Sequence, residues 1–326
     1  MNSKVILSIF IFAISSSVIN GQLSCSFSNT FHGYTCSLLI VNPDGLNNFD
    51  TVIGMHVPPL TDNDVQAVLI RPGSNSTNIP SILCQTYRNL RHIAISGIGI
   101  QRVDDFSFEN CASLTFLDLF NNQITTVSER AFVRNTELQT LYLYNNPITT
   151  LPVNVFQGQA RLVTLWLMQN RIADLPANIF SPLQNLNELD IRTNQIRSLR
   201  PEWFANLPRL TNLVLTNNFI SDLPNNVFTP LSSLTWFTIQ NNDLTVVHGR
   251  SFENLPILRS INLSGNRIDA IDEQLIDFTG VSFLSTIGNI CSSRSITDNS
   301  ITRSAMRAEL NICIRNYNAL FPSRGI

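Results

Sequence analysis

Large apolar residues recur along the chain with a period of 24 positions. Each period opens on a leucine, at Leu114, Leu138, Leu162, Leu186, Leu210, Leu234 and Leu258. A second and a third apolar residue follow three and five positions later, as Leu117 and Leu119 do in the first of these periods. Successive side chains of a strand point to opposite faces, so this alternation predicts a short strand with two residues in a core and the residue between them facing out.

Each period continues with an asparagine, a branched aliphatic residue and a phenylalanine. The asparagines are Asn122, Asn146, Asn170, Asn194, Asn218, Asn242 and Asn266. The phenylalanines are Phe132, Phe156, Phe180, Phe204, Phe228 and Phe252, and Ile276 closes their column. We expect the asparagine side chains to satisfy backbone groups of adjacent coils where the chain turns off the strand. The phenylalanines are expected to fill the far side of each coil.

The resulting consensus, LxxLxLxxNxI, resembles the leucine-rich repeat family, and the resemblance covers most of the chain. It implies an α/β fold, a leucine-rich repeat solenoid (horseshoe) with a parallel sheet on its concave side. The convex side is expected to be irregular or 3-10 helical, and the ends to be capped by disulfides. The frame extends backward to Leu90 and, more weakly, to Leu69, and forward to a last, shifted strand at Leu284. About ten coils are therefore expected over residues 66–291.

Residues 1–21 have the plan of a secretory signal peptide. Lys4, the only lysine, precedes an apolar run over residues 5–14, and small polar residues follow. We expect cleavage near Gly21, with Ser17 as the alternative. The apolar run is too short to span a bilayer, and no later stretch is long and apolar enough, so the mature chain is expected to be secreted and extracellular.

Cysteine usage agrees with an oxidising compartment. The six cysteines are Cys25, Cys36, Cys84, Cys111, Cys291 and Cys313. An even number predicts disulfides, and none of them has the CxxC spacing typical of zinc. Sequons at Asn75 and Asn262 predict N-glycosylation of a secreted chain.

Both ends of a stack of coils would expose core, so each needs a cap. The N-terminal cap is expected over residues 22–65, with a hairpin joined by Cys25–Cys36. The C-terminal cap is expected over residues 272–326, overlapping the last coil, with an amphipathic helix joined by Cys291–Cys313. Helical spacing assigns the covering face of that helix to Met306, Leu310, Cys313, Ile314, Tyr317 and Leu320. Cys84–Cys111 can form a third bridge on one flank, or the two can remain buried thiols.

The chain lacks the residues of the common catalytic sites. Its net charge of -2 argues against nucleic acid, which is bound by basic surfaces. No GxSxG, HExxH or phosphate-loop pattern occurs. Asp118 and Asp190 share one column of the strand face, but three coils separate them by roughly 14 Å, too far for a paired-carboxylate site. His92 beside Asp118 is interpreted as a surface neighbour. We expect no enzymatic activity, metal or cofactor.

The outward strand positions predict a binding surface instead. Six large side chains are expected to face solvent on three adjacent strands: Phe116, Phe120, Tyr142, Tyr144, Trp166 and Met168. Such a patch is rarely left exposed without use, and Tyr, Trp and Met are enriched in binding hot spots. Asp190 and Arg192, with Glu188, are expected to form a polar rim. The alternative is that the aromatic rings only pack on one another across strands.

A narrower resemblance rests on three features together: the leader, the Cys-x-Phe…Tyr-x-Cys cap, and a short array ending in a disulfide-bonded helix. They are similar to those of secreted leucine-rich proteins of dipteran insects, including mosquito leucine-rich immune proteins. The resemblance implies recognition of an extracellular protein or glycan, in innate immunity. The best-known members carry heptads after the repeats, and none follows residue 291 here, so no coiled-coil partner is expected. The other functions considered are a matrix or adhesion component and a soluble module like a receptor ectodomain.

Overall fold

The computed structural model of the chain describes most of the sequence from residue 22 onward. The described residues are 22–38, 51–53, 56, 59–70, 79, 82–278, 280–292, 295–297 and 303–322. The predicted leader and the sequon at Asn75 lie outside them.

Eighteen strands and four α-helices follow one another in the described residues. The strands are β1 (Gln22–Thr30), β2 (Gly33–Leu38), β3 (Thr51–Ile53), β4 (Ala67–Ile70), β5 (His92–Ile95), β6 (Arg102–Val103), β7 (Phe116–Asp118), β8 (Thr126–Val127), β9 (Thr140–Tyr142), β10 (Thr164–Trp166), β11 (Glu188–Asp190), β12 (Asn212–Val214), β13 (Trp236–Thr238), β14 (Val246–Val247), β15 (Ser260–Asn262), β16 (Ala270–Ile271), β17 (Phe283–Ser285) and β18 (Ser295–Thr297). The helices are α1 (Ile82–Thr86), α2 (Gln274–Phe278), α3 (Arg303–Glu309) and α4 (Asn311–Leu320), and the 3-10 turns are Asp62–Asp64, Pro201–Trp203 and Gly249–Phe252.

Fourteen of the described strands form one sheet, in the order β18-β17-β15-β13-β12-β11-β10-β9-β7-β5-β4-β2-β1-β3. From β4 to β17 the pairing is parallel, and each strand lies beside the strand of the next coil. Leu141 is opposite Leu117 on one side and Leu165 on the other, and all three are fully buried. The predicted leucine-rich repeat solenoid with a parallel sheet is therefore confirmed. We call the side of the sheet that faces away from these leucines the open face.

The asparagine of each coil is buried and bridges to the coil before it. In Asn170, Oδ1 accepts from the backbone N–H of Ile148 at 3.3 Å, and Nδ2 donates to the carbonyls of Leu143 at 3.1 Å and Leu167 at 2.9 Å. Asn146, Asn194, Asn218, Asn242 and Asn266 repeat this pattern, and Asn122 and Asn289 extend it to the coils at either end. These side chains satisfy backbone groups that would otherwise be buried without partners. The predicted role of the asparagines is confirmed.

The phenylalanine column fills the side of the coils opposite the sheet. The rings of this column are at most 1% exposed: Phe108, Phe132, Phe156, Phe180, Phe204, Phe228 and Phe252. Rings of adjacent coils lie 5.5 Å apart between Phe204 and Phe228, and 5.6 Å apart between Phe228 and Phe252. The core is thus one apolar column that continues from coil to coil, and each coil depends on its neighbours for burial.

The N-terminal end of the sheet is covered by the hairpin of β1 and β2. Cys25 and Cys36 form a disulfide across it, with Cα atoms 5.3 Å apart. Strand β2 also pairs in parallel with β4, so the hairpin continues the sheet while it shields the first coil. A second disulfide joins Cys84 to Cys111, Cα atoms 5.1 Å apart, on the flank of the first coils.

The C-terminal end is covered by α3 and α4. The disulfide between Cys291 and Cys313 ties α4 to the last coil. Tyr317 is buried, and its hydroxyl lies 2.9 Å from Nδ1 of His248, which fixes the helix against the coils. Met306 and Leu310 are buried beside it.

Three details differ from the sequence prediction. Leu69 was expected in a core column, but Val68 lies opposite the buried Ile93, because the first coil is one residue longer than the 24-residue coils that follow it. Leu69 is consequently only half-buried. The predicted cap helix is divided at Leu310 into α3 and α4. Leu320 at the end of α4 is 58% exposed, because the helix extends beyond the coil that it covers.

Replacement of Asn194 by Ala is expected to lower the free energy of unfolding by about 1–3 kcal/mol. The change leaves the N–H of Ile172 buried without a partner and removes one of the two hydrogen bonds that the carbonyl of Leu167 accepts. Urea denaturation followed by circular dichroism measures the loss. Gln195→Ala is the control, because Gln195 is exposed and adjacent. An equal effect of the two substitutions would show that the buried hydrogen bonds do not stabilise the coils.

Candidate functional site

Five aromatic side chains lie together on the open face of β7, β9 and β10 and of the turns that follow these strands. We call Phe116, Phe120, Tyr142, Tyr144 and Trp166 the aromatic tract. All five are half-buried. They alternate along the chain with fully buried residues such as Leu117, Leu141 and Leu165, so a strand with a leucine face in the core has to present these rings on the open face.

The rings of the aromatic tract pack on one another from strand to strand. Tyr142 and Trp166 stack with ring centroids 4.1 Å apart and planes 11° apart. Phe120 and Tyr144 stack at 4.4 Å. The edge of Phe116 meets Tyr142 at 5.4 Å. These contacts hold the five rings in one rigid surface across three coils, and each pair adds stability of about 0.5–1.5 kcal/mol beyond area burial.

A carboxylate borders the tract on its C-terminal side. Oε1 of Glu188 accepts a hydrogen bond of 2.9 Å from Nε1 of Trp166. This bond satisfies the indole and sets the orientation of its ring. Burial raises the pKa of Tyr142, and the charges of Glu188 and Asp118 raise it further. In the sheet, Asp118 on β7 and Glu188 on β11 lie on opposite sides of β9, which carries Tyr142.

Met168 and Asp190 were expected to face solvent, and this expectation was wrong. Both lie on the open face, but Met168 is 9% and Asp190 2% exposed. Arg192 covers them. Its Nε lies 3.1 Å from Oδ2 of Asp190, and its Nη2 lies 3.2 Å from Sδ of Met168. Arg192 itself is exposed, as predicted for the rim.

Asp190 is a buried carboxylate with an internal partner. Its Oδ1 accepts from the backbone N–H of Arg192 at 3.1 Å. Burial raises its pKa to about 6, although this hydrogen bond and the charge of Arg192 act in the opposite direction and Glu188 adds a smaller upward shift. Desolvation therefore outweighs the ion pair at this position.

Asp118 occupies the corresponding position three coils earlier. Its Oδ1 accepts from the backbone N–H of Phe120 at 2.8 Å, the same turn as in Asp190. Burial raises its pKa as well. The residue two positions later is Phe120 rather than an arginine, and among the described residues no ion pair forms with Asp118. The sequence predicts only that Asp118 and Asp190 are too far apart for a paired-carboxylate site. The different residues two positions after them, Phe120 and Arg192, were the signal that could have marked Asp118.

Two imidazoles border the tract on its N-terminal side. The rings of His32 and His92 lie 5.0 Å apart, and His92 lies 5.8 Å from Phe116. Burial lowers the pKa of His92, with smaller contributions in the same direction from His32 and Arg91. The neutral form of the His92 ring is therefore favoured.

The open face is more polar toward the C-terminal cap. Trp236 is 40% exposed. Asn262, the second predicted glycosylation site, is half-buried in β15, and its Oδ1 accepts from the backbone N–H of Ser264 at 3.1 Å. A glycan on Asn262 stays a prediction.

The site offers contact surface rather than reacting groups. Among the residues that the structure describes, no three His, Cys, Asp or Glu side chains form a group able to hold a metal ion. In that same part of the chain, no helix has the length and apolar character that crossing a bilayer requires. What the arrangement provides is a rigid, partly exposed aromatic surface with carboxylates at its edges, which is suited to binding.

Comparison with known proteins gives a family for the repeats. The family model for leucine rich repeats matches residues 88–148, 160–218 and 208–268, about half of the chain. A search of the curated proteins found no match.

Several solved structures share the fold. A chain from the octameric complex of Latrophilin 3, Unc5D and FLRT2 superposes with a TM-score of 0.63 and 23% identity, over 70% of this chain and 68% of that one. A chain from the Toll–Spatzle complex of Drosophila superposes with a TM-score of 0.62 and 19% identity, over 74% of this chain and 36% of that one. A chain from the LRIM1/APL1C complex superposes with a TM-score of 0.56 and 17% identity, over 83% of this chain and 43% of that one. This chain therefore spans only about a third of the Toll-complex chain, and at these identities the likeness concerns the fold alone.

Replacement of Asp190 by Asn is expected to stabilise the protein at pH 7.5 by up to about 2 kcal/mol. The pKa of Asp190 in the folded state, about 6, is above the value of about 3.9 for an unfolded chain. The folded state therefore binds the proton more tightly, and the stability that this contributes is present below pH 4 and lost as the pH rises through 6. Asn keeps the acceptor without the charge.

Thermal unfolding of both proteins between pH 4 and pH 7.5 measures the effect. The difference between Asp190→Asn and the wild type should shrink toward pH 4. Asp222→Asn serves as the control, because Asp222 is exposed. A less stable Asp190→Asn protein at pH 7.5 would mean that the ion pair with Arg192 outweighs desolvation.

Proposed function

Since the chain belongs to the leucine-rich repeat family, we propose that it is a secreted, non-enzymatic protein that binds an extracellular protein or glycan with its open face. The observation that carries the proposal is the aromatic tract: five large rings on three adjacent strands, held rigidly and left partly open to solvent. Rigid aromatic surface loses little conformational entropy on binding, which is why Tyr and Trp are enriched in hot spots.

The alternative role of the rings is structural packing alone. Contacts across strands account for the stacked pairs. The turn at Asp118 needs only an acceptor for the N–H of Phe120, and the neutral Asn262 supplies the equivalent acceptor in a later coil. Packing therefore leaves unexplained why Asp118 carries a charge, half-removed from water and with no ion pair in the described part of the chain. A surface built only for stability would avoid the cost of such a group. This favours recognition of a ligand.

Secretion is part of the proposal. The predicted leader and the three disulfides support it, because such bridges persist in oxidising compartments. A role in innate immunity is supported by the resemblance to secreted insect proteins. Two of the similar folds come from complexes: one is LRIM1 with APL1C, and the other is Toll with Spatzle, described as a hub in development and innate immunity. We extend that role to this chain as a hypothesis.

A matrix or adhesion role is the second candidate, and a surface on the C-terminal cap favours it. Ile290 is 70% and Ile312 55% exposed, and each directly precedes one cysteine of the Cys291–Cys313 disulfide. A protein with apolar contact surfaces on its open face and on its cap could join more than one partner at once.

Replacement of both Tyr142 and Trp166 by Ala is expected to abolish capture of the partner from extracellular fluid. Each truncation of a hot spot costs binding about 2 kcal/mol or more, whereas the loss of ring contacts should lower the free energy of unfolding by about 1 kcal/mol for each ring pair removed. Quantitative mass spectrometry of the captured proteins measures binding, and circular dichroism verifies the fold.

The matched control is Trp236→Ala, because Trp236 is an exposed aromatic residue on the same face but outside the aromatic tract. Its capture profile should equal that of the wild type. Unchanged capture by the double variant, or loss of capture by Trp236→Ala alone, would contradict the proposal.

A further inference from the structure

We infer that the aromatic tract receives an arginine side chain of the partner, with the guanidinium group placed against the carboxylate of Asp118. The inference rests on the proposed function and deepens it, since it names the chemistry that the open face recognises. Three observations carry it: a comparison of two equivalent acids, the aromatic residues that neighbour Asp118, and the distribution of charge along the tract.

The protein contains two versions of the same acidic turn. Asp118 and Asp190 occupy the same strand position, and each accepts a hydrogen bond from the N–H two residues later. In the later coil that residue is Arg192, whose Nε lies 3.1 Å from the Asp190 carboxylate. In the earlier coil it is Phe120. No arginine or histidine nitrogen of the described residues lies within 4.0 Å of the Asp118 carboxylate, so this acid lacks the cation that its counterpart has.

The aromatic rings close around the unpaired acid. Asp118 follows Phe116 and precedes Phe120 at the outward positions of its own coil, and Tyr142 is its register partner on β9. The negative charge of Asp118 contributes to the raised pKa of both Tyr142 and Tyr144. A carboxylate in aromatic surroundings is costly without a counter-ion, and a cation from the partner would remove that cost.

A short residue and aromatic rings are the neighbours of Asp118. Its register partner on β5 is Ala94, which is half-buried and carries only a methyl group. Its register partner on β9 is Tyr142, and Phe116 and Phe120 occupy the outward positions before and after it. Cations bind over aromatic faces within about 6 Å of the ring centroid, and most strongly where water is excluded. This neighbourhood offers ring surface and a carboxylate to the same cation.

The charges along the tract favour a basic partner. Glu188 places a second carboxylate beyond Trp166, on the opposite side of Tyr142 from Asp118. Arg192, which lies on that side, is held by Asp190. At the other edge, burial favours the neutral form of His92. A positive group that approaches the tract therefore meets negative charge on both sides of the rings.

Arginine fits this arrangement better than lysine. The guanidinium group is planar, stacks on aromatic rings, is weakly hydrated, and donates two parallel hydrogen bonds to one carboxylate. The ammonium group of lysine is a strongly hydrated point charge and would lose more on leaving water. The flat ring surfaces and the single carboxylate match the guanidinium group.

Titration with N-acetyl-arginine amide tests the inference. Trp166 fluorescence reports binding in a Trp236→Phe protein, in which the remaining Trp203 is fully buried. We expect saturable binding in the millimolar range, several-fold weaker binding of N-acetyl-lysine amide, and none of the neutral N-acetyl-citrulline amide. Lack of saturation by the arginine amide up to roughly 50 mM would overturn the inference. Lysine amide binding as tightly as arginine amide would overturn the choice of arginine.

Two variants locate the cation. Asp118→Asn should weaken binding of the arginine amide about tenfold, whereas Asp222→Asn, which removes a negative charge at an exposed position outside the aromatic tract, should leave it near the wild-type value. Phe120→Arg copies the Asp190–Arg192 pair into the earlier coil and should abolish binding by supplying the cation internally. Wild-type affinity in either Asp118→Asn or Phe120→Arg would overturn the inference.

These results can be separated from those on the proposed function. If partner capture needs Tyr142 and Trp166 but Asp118→Asn binds the arginine amide as the wild type does, the proposed function stands and the inference fails. If the arginine amide binds at Asp118 but the double variant of Tyr142 and Trp166 captures the partner as the wild type does, the cation site stands and the proposed function fails.

Discussion

The structure depends on the need to satisfy backbone groups in coils that are buried on both sides. The asparagine side chains meet this need because one amide reaches two coils, as Asn170 does through Ile148, Leu143 and Leu167. A shift of one coil against the next by a single residue would leave these groups unpaired and would also turn the leucines out of the core. The asparagine ladder therefore sets the register, and the register decides which side chains reach the open face.

Because the inward strand positions form the core, the outward positions are available for recognition. Inward columns have to remain apolar, whereas an outward column can carry any residue compatible with a short strand. The column of Asp118, Asp190 and Asn262 shows the result: all three accept from the N–H two residues later, so the backbone turn is the same. What differs is the residue at the next outward position, two residues later. Phe120 in one coil and Arg192 in another make one acid a candidate binding group and the other an internally paired one.

The sequence predicted the coils because their period is strict and because alternation assigns each strand residue to a face. It predicted less well where the period changes: the extra residue in the first coil moves Val68 into the place expected for Leu69. It also could not show how far a long neighbour covers a short residue. Met168 and Asp190 face the open side as predicted, yet Arg192 covers both. How far a side chain extends over its neighbours on adjacent strands depends on the folded structure, and the repeat period of the sequence does not predict it.

The most direct measurement of the central claim, that asparagine side chains set the register, is amide hydrogen exchange resolved by NMR. The N–H groups of Ile148, Ile172 and Ile196 have asparagine side-chain oxygens as their acceptors, in Asn170, Asn194 and Asn218. The account predicts that these three amides exchange as slowly as those of the core strands and open only when the coils unfold together. Exchange at the rate of exposed turns, with the strands still protected, would contradict it.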